Sequence, residues 1–219
     1  MKTKKKIDTR YLVQLALLIA LELILAYTPL GYFRTAGLEI SFLMIPVTLG
    51  AILLGPAAGA ILGGIFGLTS FGTCFGVSLF GSTLLGINPF LTFLVCVPTR
   101  LLAGWLTGVI FKALYKAEDK RKEVEMQTEE APKKAPHWLS FGVASLAGPV
   151  LNTLFFMGFM VLFFYSTDYI QGFASALGAA NPFVFIVLFV GIQGLIEAVV
   201  GFIASSVIGK AVYSALHRS

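Results

Sequence analysis

Residues 55–100 have the sequence GPAAGAILGGIFGLTSFGTCFGVSLFGSTLLGINPFLTFLVCVPTR. The stretch combines frequent glycines and hydroxyl side chains with apolar runs, and its first charged residue is Arg100, at its end. In a lipid bilayer, irregular backbone is tolerated only where protein or a water-filled cavity surrounds it. A glycine-rich, hydroxyl-bearing stretch that ends in a buried arginine therefore predicts a small-molecule pocket inside a membrane protein.

The composition of the whole chain agrees with this prediction. Of its 219 residues 57% are hydrophobic and only 12% are charged, and the mean hydropathy is +0.88. Such a balance is typical of proteins with several membrane spans. A helix crosses the hydrocarbon layer with about 20 apolar residues. We expect an all-α integral membrane protein of the cell membrane, a single domain over residues 1–219 that forms a compact bundle of six transmembrane helices.

The apolar runs give the expected order of the spans. Pro29, Gly55–Pro56 and Pro89 mark boundaries between runs, because proline and glycine favour turns and helix starts. The segment 72–88 is the least regular part, and residues 116–136 form a charged linker. The six predicted spans are residues 10–29, 38–54, 56–71, 89–115, 138–165 and 182–213.

The distribution of positive charge predicts the orientation. All lysines and arginines except Arg34 and Arg100 fall near the termini, at the end of the fourth predicted span or in the 116–136 linker. Cytoplasmic loops carry an excess of these residues. Both termini and the linker are therefore expected in the cytoplasm, and segments 30–38, 72–88 and 166–181 outside. The net charge of +5 is explained in this way and does not indicate a nucleic-acid partner.

Three ionisable residues fall near the middle of predicted spans, namely Glu22, Arg100 and Glu197. A charge is costly at that depth and marks a functional residue by default. Two interpretations remain open. Arg100 either forms a structural ion pair with one of the glutamates or binds a ligand.

Polar residues at helical spacing extend this candidate pocket. Thr92 and Arg100 share one face of the fourth span, and Gln193 and Glu197 share one face of the sixth. Asn152 lies in the fifth span. For Asn152 and Gln193, ligand contact and hydrogen bonding between helices are both open. The repeated glycines indicate close helix packing, and the segment 72–88, with Thr73 and Asn88, is expected to act as an outer gate.

Sequence signatures of an enzyme are missing. Cys74 and Cys96 lie in apolar sequence without a CxxC motif, and the only histidines are His137 and His217, so no metal site, disulfide or His-based triad is predicted. No GxxxxGK[ST] motif is present. We expect no cofactor and no enzymatic activity. Any uphill transport must then use an ion gradient or other subunits.

The chain resembles the substrate-binding S components of energy-coupling-factor (ECF) vitamin transporters. The resemblance rests on six spans, on Ala16 and Ala20 in the first span, and on three segments: LMIPVTLGAILLGPAAGAILGGIFG, TSFGTCFG and INPFLTFLVCVPTRLLAGWLTG. It implies a subunit that captures a vitamin outside the cell and docks on a membrane coupling protein served by two cytoplasmic ATPases. It also implies docking through Ala16 and Ala20.

Within that family the sequence is most similar to the pantothenate type. The resemblance implies Arg100 as the partner of the substrate carboxylate, Asn152 as a polar contact and Thr73 in the gate. One observation opposes an anionic substrate: if Glu22 and Glu197 both stay ionised near Arg100, the cluster is net negative. The alternatives are another vitamin or precursor, such as a folate, cobalamin or riboflavin-like solute, or an ion-coupled secondary transporter.

Overall fold

The computed structural model describes residues 9–28, 31–34, 39–126 and 138–216, and these residues are mostly helical. This confirms the predicted all-α membrane class, with one addition, a short antiparallel hairpin in which Tyr32 pairs with Ser41. The elements in order are α1 (Thr9–Tyr27), β1 (Tyr32–Arg34), β2 (Glu39–Ser41), α2 (Met44–Leu53), α3 (Pro56–Thr73), α4 (Leu79–Ile87), α5 (Pro89–Met126), α6 (Trp138–Phe164), α7 (Asp168–Ala176) and α8 (Pro182–Leu216).

Within the described residues, five helices are long and apolar enough to cross a membrane. The predicted second span, residues 38–54, instead contains strand β2 and the ten-residue helix α2. A helix of that length extends only about 15 Å, roughly half of the hydrocarbon layer. Eight residues of α2 are buried, so it packs inside the bundle. The count of six spans and the cytoplasmic location of the termini stay predictions.

The predicted connections contain more helix than their sequences indicate. Segment 72–88, predicted to lie outside, includes α4, and the connection 166–181 includes α7. Both short helices begin at a hydroxyl residue, Ser78 or Thr167, whose side chain accepts a hydrogen bond from a backbone N–H in the first turn. Residues 116–126 of the predicted linker belong to α5, and residues 127–136 lie outside the described part of the chain.

Glu118 joins the end of α5 to the start of α6. Its carboxylate accepts hydrogen bonds from the backbone N–H of Leu139 at 3.2 Å and of Ser140 at 3.3 Å, and also from the Ser140 hydroxyl. These N–H groups belong to the first turn of a helix, which has no carbonyl partners of its own for them. A carboxylate there also interacts favourably with the helix dipole. The two helices are thus fixed to each other at this end.

The centre of the bundle is the contact between α3 and α5. Gly59, Gly63 and Gly67 recur at every fourth residue and lie on one face of α3. A Cβ built on Gly63 would lie 2.2 Å from the carbonyl oxygen of Arg100, and one on Gly59 would lie 2.3 Å from that of Gly104. The helices therefore touch backbone to backbone, which confirms the packing role predicted for these glycines.

At the end of the bundle where α5 begins, an aromatic cluster joins α4, α7 and the first part of α8. It consists of Phe80, Tyr169, Phe173, Phe185 and Phe189, with ring centroids 4.9 to 6.1 Å apart in the contacting pairs. Offset and edge-to-face pairs at such distances are favourable. Helix α8 breaks just after the cluster, at Gly191 with φ 43° and ψ −134°, a conformation that residues with a Cβ rarely adopt.

The α3–α5 contact makes a testable prediction. We expect Gly63→Ala to destabilise the protein by about 2 kcal/mol, because the added methyl group must push two packed backbones apart. Thermal unfolding of the purified protein in detergent measures the effect.

Gly64→Ala is the matched control, since a Cβ there would meet only Leu101 at an ordinary 3.9 Å. It should be neutral or slightly stabilising because alanine favours helix. Equal unfolding temperatures for the two variants would contradict the packing described here.

Candidate functional site

A cavity of about 430 Å³ lies between the α3–α5 pair and the aromatic cluster. Its walls come from α3 to α8 and from Ser41 at the end of β2. Its volume falls within the range of small-molecule sites, about 300–1,000 Å³. Most of the wall is apolar, and two residues that line it carry charge, Arg100 and Glu197.

Arg100 is held in place by its own helix and by two aromatic rings. Its Nη1 donates to the carbonyl oxygens of Cys96 at 3.0 Å and Val95 at 3.3 Å. The guanidinium carbon lies 4.9 Å from the centroid of the Phe66 ring and 4.6 Å from that of Phe156, distances typical of cation–π contact. The side chain is 7% exposed. Its Nε has no hydrogen-bond partner among the described residues, so one edge of the guanidinium still has donor capacity.

Neither glutamate forms a salt bridge with Arg100 in the part of the chain that the structure describes. Glu197 lines the cavity, and its Oε1 accepts a hydrogen bond from the Ser41 backbone N–H at 2.6 Å. Glu22 is fully buried, neither of its oxygens is hydrogen-bonded to a described residue, and it is not part of the cavity wall. Among the described residues, the three ionisable groups therefore do not form the single cluster that the sequence allowed.

Three further predicted site residues line the cavity: Thr73, Thr92 and Asn152. The two threonine hydroxyls donate to carbonyl oxygens of their own helices, at 2.7 Å to Ser70 and 2.9 Å to Asn88. Their lone pairs remain available as acceptors. Asn152 is buried, and its Oδ1 has no partner among the described residues. A buried amide oxygen without a partner is costly, and a ligand donor would satisfy it.

The other predicted site residues lie elsewhere or cannot be placed. The Asn88 side chain is not part of the cavity wall; its Oδ1 accepts a hydrogen bond from the Leu91 backbone N–H at 3.1 Å and caps the start of α5. The side chain of Gln193 lies outside the described residues. Ala16 and Ala20 are exposed on α1, whereas Glu22 is buried, so the alanine and glutamate faces of this helix point in different directions.

The sequence interpretation missed the aromatic residues and Ser70 on the cavity wall. Phe66, Ser70 and Thr73 recur at helical spacing along α3, and all three line the cavity. This stripe lies beside the glycine face and was visible in the sequence. Phe156 and the residues of α7 carried no such signal, because phenylalanines in an apolar helix more often face lipid or the core.

The cavity wall presents the charged and polar groups that a small-molecule site needs. Arg100 supplies a fixed positive charge with a donor edge, while Glu197 and Asn152 supply acceptors. Bidentate recognition of a carboxylate or phosphate is the usual role of such an arginine. In the described part of the chain there is no group of three or more His, Cys, Asp or Glu residues that could hold a metal ion.

The chain is similar to a known protein family and to a curated protein. The sequence pattern of the family described as "ECF transporter, substrate-specific component" matches residues 10–209. The chain is also 32% identical over 110 residues to the pantothenate transporter PanT of Leuconostoc mesenteroides subsp. mesenteroides. That alignment covers 50% of this chain and spans about half, 52%, of the relative.

The position of Asn88 makes a second prediction. Asn88→Ala should lower the stability by about 1 kcal/mol, because the first turn of α5 loses its side-chain cap. Asn88→Asp keeps an acceptor at this position and should retain most of that stability. Thermal unfolding in detergent compares the two variants. An equal loss in both would contradict the capping role.

Proposed function

Because this chain belongs to the family of substrate-specific components of ECF transporters, a multi-pass membrane subunit and not an enzyme, we propose that it captures pantothenate in the cavity around Arg100. We further propose that it then docks on a membrane coupling protein, whose two cytoplasmic ATPases supply the energy for uptake. The observation that carries the first proposal is the state of Arg100. This residue is buried, oriented by carbonyl oxygens and rings, and not paired with either glutamate.

The carboxylate of pantothenate is the group that we assign to Arg100. A guanidinium presents its donors in a planar fork that matches a carboxylate. Two carbonyl oxygens and two phenylalanine rings orient this fork before any ligand arrives, which reduces the entropy lost on binding. The Nε edge, which has no partner among the described residues, is the edge that we expect to face the carboxylate.

The hydroxyl and amide groups of pantothenate can donate hydrogen bonds and therefore need acceptors in the cavity wall. Asn152 offers an amide oxygen that no described residue occupies, and Glu197 offers the carboxylate oxygen that is not bonded to Ser41. Thr73 and Thr92 offer lone pairs on the same wall. A site that hydrogen-bonds substrate hydroxyls discriminates strongly against analogues that lack them.

The objection to an anionic substrate is weaker in this geometry. With Glu22 away from the cavity wall, the charged residues that line the cavity are one arginine and one glutamate. Glu197 is also engaged by the Ser41 N–H, which offsets part of its negative charge. A substrate with one negative charge then contacts Arg100 directly, and Glu197 is the one negative side chain that repels it among the described residues of the wall. The similarity to a pantothenate transporter over half of the chain supports the same substrate.

The exposed face of α1 supports docking on a partner. Ala16 and Ala20 are exposed and one turn apart, a spacing that allows another helix to approach closely in the membrane. The face lies on the outside of the bundle, so a partner can contact it without entering the cavity.

Substitutions of Arg100 test whether this residue binds the carboxylate of pantothenate. Pantothenate should raise the unfolding temperature of the wild-type protein by mass action. Arg100→Ala should weaken pantothenate binding by at least ~30-fold, because a buried charge pair loses one partner. Arg100→Lys keeps the charge but not the fork, and should give an intermediate affinity. Isothermal titration calorimetry in detergent measures all three.

Pantothenol, in which a CH2OH group replaces the carboxylate, is the control ligand. The wild-type protein should bind it more weakly by a factor similar to that of Arg100→Ala, while the variant should no longer prefer the acid. A preference for the acid that persists in Arg100→Ala would contradict the assigned pairing. If wild type binds neither compound, pantothenate is the wrong substrate, and mass spectrometry of the small molecule that co-purifies from rich medium would identify another.

The docking face is tested separately. Ala16→Glu and Ala20→Glu should abolish uptake in cells that carry the coupling protein and ATPases, yet leave binding of pantothenate by the purified subunit unchanged. Leu21→Glu is the matched control, since it places the same charge on an exposed residue roughly 140° around the helix from Ala16.

Two outcomes would contradict the docking proposal. One is a loss of binding that parallels the loss of uptake in the alanine variants. The other is full uptake by the wild-type chain alone in liposomes, driven by a proton gradient, which would identify an ion-coupled transporter.

A further inference from the structure

Two cysteines from different elements meet in the wall of the cavity. Cys74 ends helix α3, and Cys96 lies on α5 one turn before Arg100. Both are buried, both line the cavity and both are reduced. The Cys96 thiol lies within hydrogen-bonding reach of the Cys74 thiol and of the Ser70 side chain.

We propose that Cys74 and Cys96 form a reversible disulfide, generated by hydrogen peroxide, that controls access to the cavity. The inference does not depend on which molecule the cavity binds. It assigns a modification site to residues that substrate capture does not use.

The position of Cys74 at the end of a helix favours the bond. Two thiols at hydrogen-bonding distance must still approach to about 2 Å, so one of them has to move. Cys96 lies inside the long helix α5. Cys74, in contrast, lies at the end of α3 and two residues before Gly76, which has φ 116°. A turn that contains such a glycine adjusts more readily than a helix interior. The Cys74 sulfur is also directed by a 3.5 Å contact with the Ser70 carbonyl oxygen.

The reaction balances with peroxide as the oxidant. One thiol loses its proton and the thiolate attacks a peroxide oxygen. The O–O bond breaks, and the leaving hydroxide takes up that proton, so that a sulfenic acid and one water form. The second thiol then attacks the sulfenic sulfur, the S–S bond forms, and a second water leaves. The two sulfurs together lose two electrons, and one peroxide molecule gains them. A low-molecular-weight thiol restores the pair by disulfide exchange.

The bond would fix the chain that leads into α4. Val77, Ser78 and Leu79 follow Cys74 and line the cavity. Helix α4 packs directly on the Cys74 sulfur, since a Cβ on Gly81 would lie 2.6 Å from it. A covalent link to α5 removes the freedom of this segment to move away from Arg100. Exchange of small molecules between the cavity and solvent should therefore be slower in the oxidised protein.

The test uses the full-length purified protein and two measurements. After treatment with hydrogen peroxide, mass spectrometry of proteolytic peptides should show Cys74 and Cys96 cross-linked, with the loss of two hydrogens. Phenylglyoxal, which modifies arginine, then reports access to Arg100 without any assumption about substrate. Its reaction with Arg100 should slow several-fold in the oxidised protein and recover on reduction. Arg10, which is exposed on α1, is the internal reference.

Cys74→Ser and Cys96→Ser are the control variants, each compared with its own untreated sample. In both, peroxide should leave the rate of Arg100 modification unchanged. The proposal is overturned if peroxide produces no cross-link or converts the thiols to higher oxides. It is also overturned if the cross-link forms without slowing Arg100 modification, or if the serine variants slow as much as wild type. A confirmed cross-link in a protein that does not bind pantothenate would refute the substrate and leave this inference standing.

Discussion

The close contact between α3 and α5 is the constraint on which the binding cavity depends. Gly63 meets the carbonyl oxygen of the same residue, Arg100, whose side chain reaches the cavity. The backbone of Arg100 is therefore fixed by packing on one side while its guanidinium is fixed by carbonyl oxygens and rings on the other. In a membrane, where helices gain little from apolar burial against each other, such backbone contact supplies much of the association. Arg100 can thus occupy this position because the facing residues of α3 are glycines, which have no side chains.

The two charges in the cavity wall have different partners, and this difference gives the cavity its polarity. Arg100 is held by its own helix, whereas Glu197 is held by the hairpin through the Ser41 N–H. Because the two do not pair, each retains capacity for a ligand. An internal ion pair would have satisfied both groups and left a mostly apolar cavity. The unpaired arrangement is costly in an empty membrane protein, and a molecule with a carboxylate and hydroxyl groups relieves that cost at both residues.

Much of this architecture could be predicted from sequence, because its causes are local. Glycine at every fourth residue indicates a close helix contact, and a lone arginine in an apolar run indicates a site. The second predicted span contains a helix of only ten residues, which are mostly buried inside the bundle. This length was not predictable, because hydropathy does not separate residues buried in protein from residues that face lipid. The sequence also did not predict that Glu22 lies away from the cavity. It gives the depth of a residue along its helix, but not the side of the helix that faces the other helices. Asn88 shows the same limit: its place before Pro89 suits a cap as well as a ligand contact, and the structure shows the cap, in which the Leu91 N–H donates to its side chain.

The carboxylate of Glu118 has a consequence for how this chain can change over time. It holds the start of α6 directly from α5, so the alignment of these two helix ends has a support other than the chain that connects them. We therefore expect the length of that connection to vary among homologues more readily than the two helix ends that Glu118 joins. The two parts of the chain on either side are then natural units for exchange between homologues, with helix α1 and Arg100 together in the first.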